Sequence, residues 1–145
     1  MSNAREWAVE IDAEFVKTMG NAREAIIALA TEGLAKVKKR SPVAQPWTWK
    51  HPVAGYIGGQ FRANWVISIG GPNGTTVPFP GGSFAGETSA ALSAFSAQEG
   101  WPVIYIQNNL PYAGPLEDGH SRQAPGGMVA ITAIELEAIA QGIEI

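Results

Sequence analysis

At 145 residues the chain has room for one domain over 1–145, since domains usually run to about 100–150 residues. With 46% apolar and only 16% charged residues, it is no charge-rich disordered tail, and it leaves surface that a partner subunit would most simply cover. A net charge of −3 supplies no overall positive field for a phosphate backbone, and the absence of cysteine removes disulfides, thiolate nucleophiles and cysteine metal sites together. The longest apolar run, residues 25–30, is far short of the ~20 residues of a membrane span, so a soluble, unsecreted protein with no membrane partner is expected.

Residues 1–40 read as one N-terminal helix. Trp7, Ile11, Phe15, Met19, Ala22, Ile26, Leu29, Gly33 and Val37 recur at steps of three and four, with Glu10, Asp12, Glu14, Lys17, Arg23, Glu24 and Glu32 on a solvated face. Unbroken from Arg5 to Arg40, it would reach about 54 Å, longer than a domain of this size. Two solutions are open: a break at Gly20-Asn21, where Asn21 and Glu24 have capping-box spacing, or a long arm packed on a neighbouring subunit through Trp7, Ile11 and Phe15. Lys36, Lys38, Lys39 and Arg40 sit where cations complement the helix dipole, with a phosphate contact as the other reading, and Ser41-Pro42 stops the helix.

Residues 44–58 form a proline-punctuated loop whose Trp47 and Trp49 either fold back on the core or touch a partner. Alternation of Phe61, Ala63, Trp65, Ile67 and Ile69 with Arg62, Asn64, Val66 and Ser68 predicts a strand with one buried face. Asn73-Gly74 predicts a hairpin leading to Thr75-Thr76-Val77. The 72–86 loop is expected to be mobile in the isolated subunit and to order on a neighbour, with Phe79 and Phe84 as contact residues. A short helix follows over 87–98 through Ala91, Leu92 and Phe95, closed by Gly100. A second strand runs over 103–107 and a turn-rich link over 111–119. The closing helix then buries Met128, Ile131, Ile134, Ala138 and Ile139. The expected fold is α+β, a small, largely antiparallel sheet packed against the long N-terminal helix and the C-terminal helix.

The chemistry-bearing patterns fail one by one. Ser83 lies among Gly81, Gly82 and Gly86, but the glycines miss the G-x-S-x-G spacing of a nucleophile elbow. Residues 70–76 lack the Gly-Lys pair of a P-loop. His51 and His120 stand in separate loops without ligand partners at i+4, and Glu117-Asp118 beside His120 reads as a solvated or capping pair. No catalytic, cofactor-binding or metal-ligating residue is assigned.

Two stretches resemble a known family. Ser41-Pro42-Val43 followed by Arg62-Ala63-Asn64-Trp65 before a strand resembles the "SPVDTG, R-x-N/S-W" pattern of tail-completion and neck proteins of long-tailed bacteriophages. The run from Ile104 through Asn108, Pro111, Tyr112, Ala113, Leu116, Glu117 and Gly119 to Gln123, Ala124, Pro125 and Gly127 is similar to their "I-S-N-x-x-P-Y-A-x-x-L-E-x-G-x-S-x-Q-A-P-x-G-M-V" stretch. In place of Asp-Thr-Gly this chain has Ala44-Gln45 and an insertion carrying Trp47 and Trp49, so that loop is built differently. The resemblance implies a small α+β protein without cofactor or catalytic residues. Such a protein forms a homo-oligomeric ring, commonly a hexamer, that is put together in the host bacterial cytoplasm and ends up at the head-tail junction of the virion. Its partners would be connector and tail tube proteins, with DNA passing through unbound.

Read physically, the second stretch is mostly fold-making: Tyr112 under a turn, Leu116 as its anchor, Gly119 free to take positive φ. Residues 101–145 carry Arg122 against Glu117, Asp118, Glu135, Glu137 and Glu144, a formal −4. In a ring, Glu117, Asp118, Glu135 and Glu137 are expected to face the lumen and let DNA slide, with Lys36 to Arg40 turned outward. Two other readings stay open: a small binding or enzymatic domain that uses the glycine- and proline-rich 70–86 loop as a lid, and a DNA-contacting head protein built on the basic cluster.

Overall fold

The computed structural model describes residues 4–43, 45, 50–51 and 58–143, with the side chains of 4–12, 15 and 16 outside that description. Helix α1 (Ala4–Arg40) is continuous over 37 residues, about 55 Å at 1.5 Å each. The break considered at Gly20-Asn21 is not made. Nothing crowds Gly20, and a glycine inside a helix costs only about 1 kcal/mol, too little to interrupt a run of good helix formers on both sides. The helix stops at Ser41, whose hydroxyl donates back to Val37 O at 2.6 Å, with Pro42 next.

The expected strand from Phe61 begins later. Gly59, at φ 115°, turns the chain into a short helix α2 (Gln60–Ala63), and the strand β1 occupies Trp65–Ile69. The cause is Asn64: it is fully buried, and its Nδ2 donates to Gln60 O at 2.8 Å, which closes a turn where a strand would need an open ladder. Nor does β1 bury one face only, because Trp65, Val66 and Ile67 are all buried, with α1 and α3 both packed against the strand.

The hairpin at Asn73-Gly74 does not form. Asn73 Oδ1 instead accepts the Thr75 N–H (3.0 Å) and hydroxyl (2.6 Å), an Asx turn. The partner of β1 is β2 (Ile104–Asn108), antiparallel, in a register from Trp65↔Asn108 to Ile69↔Ile104. Residues 73–77 run beside this pair but bond to side chains. Asn109 Nδ2 donates to Asn73 O and Thr75 O (2.6 and 2.9 Å), Gln107 Oε1 accepts the Asn73 N–H, and Asn64 exchanges two bonds of 2.9 Å with the backbone of Val77. Within the 72–86 loop, residues 73–77 are thus tethered to Asn64, Gln107 and Asn109. Phe84 in the same loop is buried at 5% exposure.

Helices α3 (Ala85–Ala97), α4 (Ala113–Glu117) and α5 (Val129–Gln141) complete an α+β architecture, with α1 and α5 against a two-stranded sheet. The core gathers Val37, Phe61, Trp65, Leu110, Ala124 and Met128, flanked by Leu34, Ile106, Ala113 and Leu116. One expectation about α5 inverts. Met128 is buried just ahead of it, but Ile131, Ile134, Ala138 and Ile139 are exposed, Ile134 at 69%, while Thr132 is buried and Leu136 is half-buried. The helix is rotated by polar anchors. Arg40 donates from Nη1 to Thr132 Oγ1 at 2.8 Å and from Nη2 to Glu135 Oε1, and Lys36 Nζ lies 2.8 Å from Glu135 Oε2. Leu136 packs directly over Gly33, where a Cβ would come within 2.9 Å of its Cδ1 and push that side chain aside.

Candidate functional site

The residues of the two resembling stretches converge on one joint between the end of α1, the start of β1 and the link into α5. Trp65 Nε1 donates to Ser41 Oγ at 2.6 Å, and Arg62 Nη2 donates to Ser41 O at 3.1 Å. Gln123 clamps Val43 from both sides, Nε2 to Val43 O at 2.8 Å and Oε1 from Val43 N at 3.0 Å. Asn108 Nδ2 donates to Phe61 O at 2.8 Å, while its Oδ1 accepts the Leu110 N–H at 3.2 Å. Residues some 80 positions apart in sequence are thereby locked together.

Glu117 organises the other half of the joint. Its Oε2 accepts the N–H groups of Met128 and Val129 at 2.8 and 2.9 Å, and its Oε1 accepts that of Ala130 at 3.0 Å, so the carboxylate caps α5 from 11 residues upstream. Burial pushes the carboxyl pKa up, but these three hydrogen bonds outweigh it and hold the group below its ordinary value of 4.5. The turn between them needs glycine twice. Gly119 (φ 86°) and Gly127 (φ 76°) take left-handed conformations, and a Cβ would collide with Pro125 O in the first and Glu117 O in the second. Ala124 is buried between them, Pro125 is exposed, and Tyr112 is half out of the core with its ring 5.8 Å from that of Phe61.

A cleft of about 300 Å³ opens over this joint, lined by Phe61, Trp65, Gln107, Asn108, Glu117 and Met128 among others. Its polar side chains already serve the backbone: Gln107 accepts from Asn73, Asn108 bridges Phe61 and Leu110, and Glu117 caps α5. Among the described residues no group of three or more His, Asp or Glu side chains could hold a metal ion. His51 and His120 are exposed, and Ser83 Oγ accepts the Ala85 N–H at 3.1 Å at the start of α3.

The carboxylates expected in a lumen divide into two kinds. Glu117 is consumed as a cap. Glu135 is held below its ordinary range by Lys36 and then Arg40, and the same contact raises Lys36; these two acids are structural and are not free charges for a bore. Asp118 and Glu137 are exposed. Lys36 and Arg40 accordingly turn toward α5, whereas Lys38 and Lys39 are in no ion pair among the described residues.

Of the expected contact residues, Phe79 is 40% exposed and lies over Gly59, and Phe84 belongs to the core. The side chains of Trp7, Ile11 and Phe15, and all of Trp47 and Trp49, lie outside the described residues. Arg23, a solvated position by helical periodicity, has a further role. Arg23 donates to Phe95 O (3.1 Å) and Gly100 O (2.6 Å) and lies 4.4 Å from the centroid of the half-exposed Trp101 ring, fastening the end of α3 to α1. The available signal was Gly100-Trp101 after the helix, a bare carbonyl beside a flat ring, which suits a guanidinium. Comparison of the chain with protein-family models, with curated proteins and with solved structures finds no match.

Proposed function

We propose that this chain is a structural subunit of a long-tailed bacteriophage, a tail-completion or neck component that closes into a homo-oligomeric ring at the head-tail junction of the virion. The observation that carries the reading is the outward face of α5. Ile131, Ile134 and Ala138 present an apolar stripe to solvent on a helix whose inner face is already satisfied by Arg40, Lys36 and Gly33, and such a stripe calls for cover from another chain. The resemblance supplies the kind of assembly. Its support is that the quoted residues, spread from Ser41 to Gly127, build one joint, as shared fold-making positions would.

In this reading the work is mechanical, and no side chain performs chemistry. Connector and tail tube proteins are the neighbours, and DNA passes without being gripped, Asp118 and Glu137 being the exposed acids that would face it. Native mass measurement over micromolar concentrations tests the assembly: one closed oligomer, six copies by the resemblance, is expected, and a monomer throughout overturns the reading. Duplex-DNA titration at about 50 mM salt, where phosphate contacts are strong, tests the passive conduit; tight binding lost in Lys38→Glu with Lys39→Glu would make the chain a DNA-gripping protein instead.

A further inference from the structure

We propose that the outer face of α5 seats the N-terminal half of α1 from a second copy of this chain. The inference rests on the ring reading and names the surfaces that close it. Three observations lead there.

The first is geometric. Among the described side chains of α1, Arg23 is the first to bond to the rest of the fold; ahead of it, Ala13, Glu14, Lys17, Gly20 and Asn21 are exposed, Met19 and Ala22 are half-buried, and Thr18 donates to Glu14 O within the helix. Residues 4–22 therefore extend about 28 Å past the first anchor. The helix is unbroken, and its C-terminal half already packs on the inner side of α5 through Gly33, Lys36 and Arg40. Its own N-terminal half cannot turn back to cover the outer side, so an α1 extension seated there comes from another copy.

The second is apolar matching. In sequence Trp7, Ile11 and Phe15 recur every four residues along the extension, and Ile131, Ile134 and Ala138 recur at three and four along α5, spacings that suit ridges packed into grooves. Thirteen residues of α5 offer about 20 Å of seat, within the length of the extension.

The third is charge. Residues 4–14 hold Glu6, Glu10, Asp12 and Glu14 against Arg5. Lys38 and Lys39 stand next to Arg40, which anchors the start of α5 through Thr132, and neither has an ion-pair partner among the described residues. An acidic extension laid over α5 toward that end meets them and fixes its direction. Because the contact joins two different surfaces, each copy offers one and accepts one, the head-to-tail arrangement from which rings are built where the rotation between copies closes.

The chain has no cysteine, which makes disulfide trapping clean. Copies carrying only Ile11→Cys are mixed with copies carrying only Ile134→Cys and oxidised, beside each variant alone and the double variant, with native mass measured on all of them. Ile134 is exposed, so its substitution leaves the fold intact. The expected result is a linked dimer from the mixture and a covalent ladder from the double variant. An oligomer that persists without an 11–134 link, or that links 134 to 134, overturns this inference and leaves the ring reading standing; a monomer in every sample overturns both.

Discussion

Ser41 and Trp65, 24 positions apart, meet through a single hydroxyl that accepts the indole N–H at 2.6 Å while donating to Val37 O at the same distance. One oxygen thus ties the end of α1 to the first residue of β1, and both residues are buried. Ser41→Ala leaves the Trp65 N–H without its partner inside the core, a loss of about 1–3 kcal/mol. Chemical denaturation of Ser41→Ala, Trp65→Phe and the double variant measures it: the double should cost less than the sum of the singles, and strict additivity would show the bond to be idle.

Glu117 gives the fold an acid-sensitive joint. Its folded carboxyl lies below the ordinary 4.5, so its contribution is complete above the unfolded value and is lost as pH falls through the folded one. Glu117→Ala removes the acceptor for three N–H groups at the head of α5, at a cost of about 1–2 kcal/mol at neutral pH. Melting curves from pH 7 down to 3 should show the wild type losing its advantage over Glu117→Gln in the acid range. Parallel curves at all pH values would contradict the assignment.

Gly127 and Gly119 admit no side chain. Gly127→Ala meets both the left-handed φ and the Glu117 carbonyl, and should destabilise by more than the ~1 kcal/mol that left-handed strain alone brings. Gly20→Ala, in open space within α1, should stabilise by up to about 1 kcal/mol. Thermal melts of the two variants, moving in opposite directions, check the contrast.

The elements legible in the sequence were those set by local chemistry: the stop of α1 at Ser41-Pro42, the positive φ of Gly119, and the helix over 87–98, which the structure gives as Ala85–Ala97. Periodicity misled where a polar side chain overrode it. Asn64 looked like the solvated position of a strand, yet it is buried because it bonds Gln60 and Val77. The α5 stripe looked like core, yet Arg40, Lys36 and Gly33 select the other face. The Asn64 bond to Val77 spans 13 positions and the Arg40 bond to Thr132 spans 92, beyond any window of neighbouring residues.

Arg23 should behave as a fastener for the end of α3. Arg23→Lys keeps the charge but loses the fork that reaches Phe95 O and Gly100 O together, for an expected loss of about 1 kcal/mol. Faster amide exchange confined to residues 94–101 would register it, and an unchanged exchange pattern would contradict it.

The central claim is assembly into a ring, and negative-stain microscopy of the purified chain at micromolar concentration tests it most directly. The account predicts uniform particles with a central hole and cyclic symmetry in end view, lost on Ile134→Glu while the melting temperature of the subunit holds. Featureless particles of monomer size would contradict it; rings unaltered by Ile134→Glu would contradict only the α5 contact.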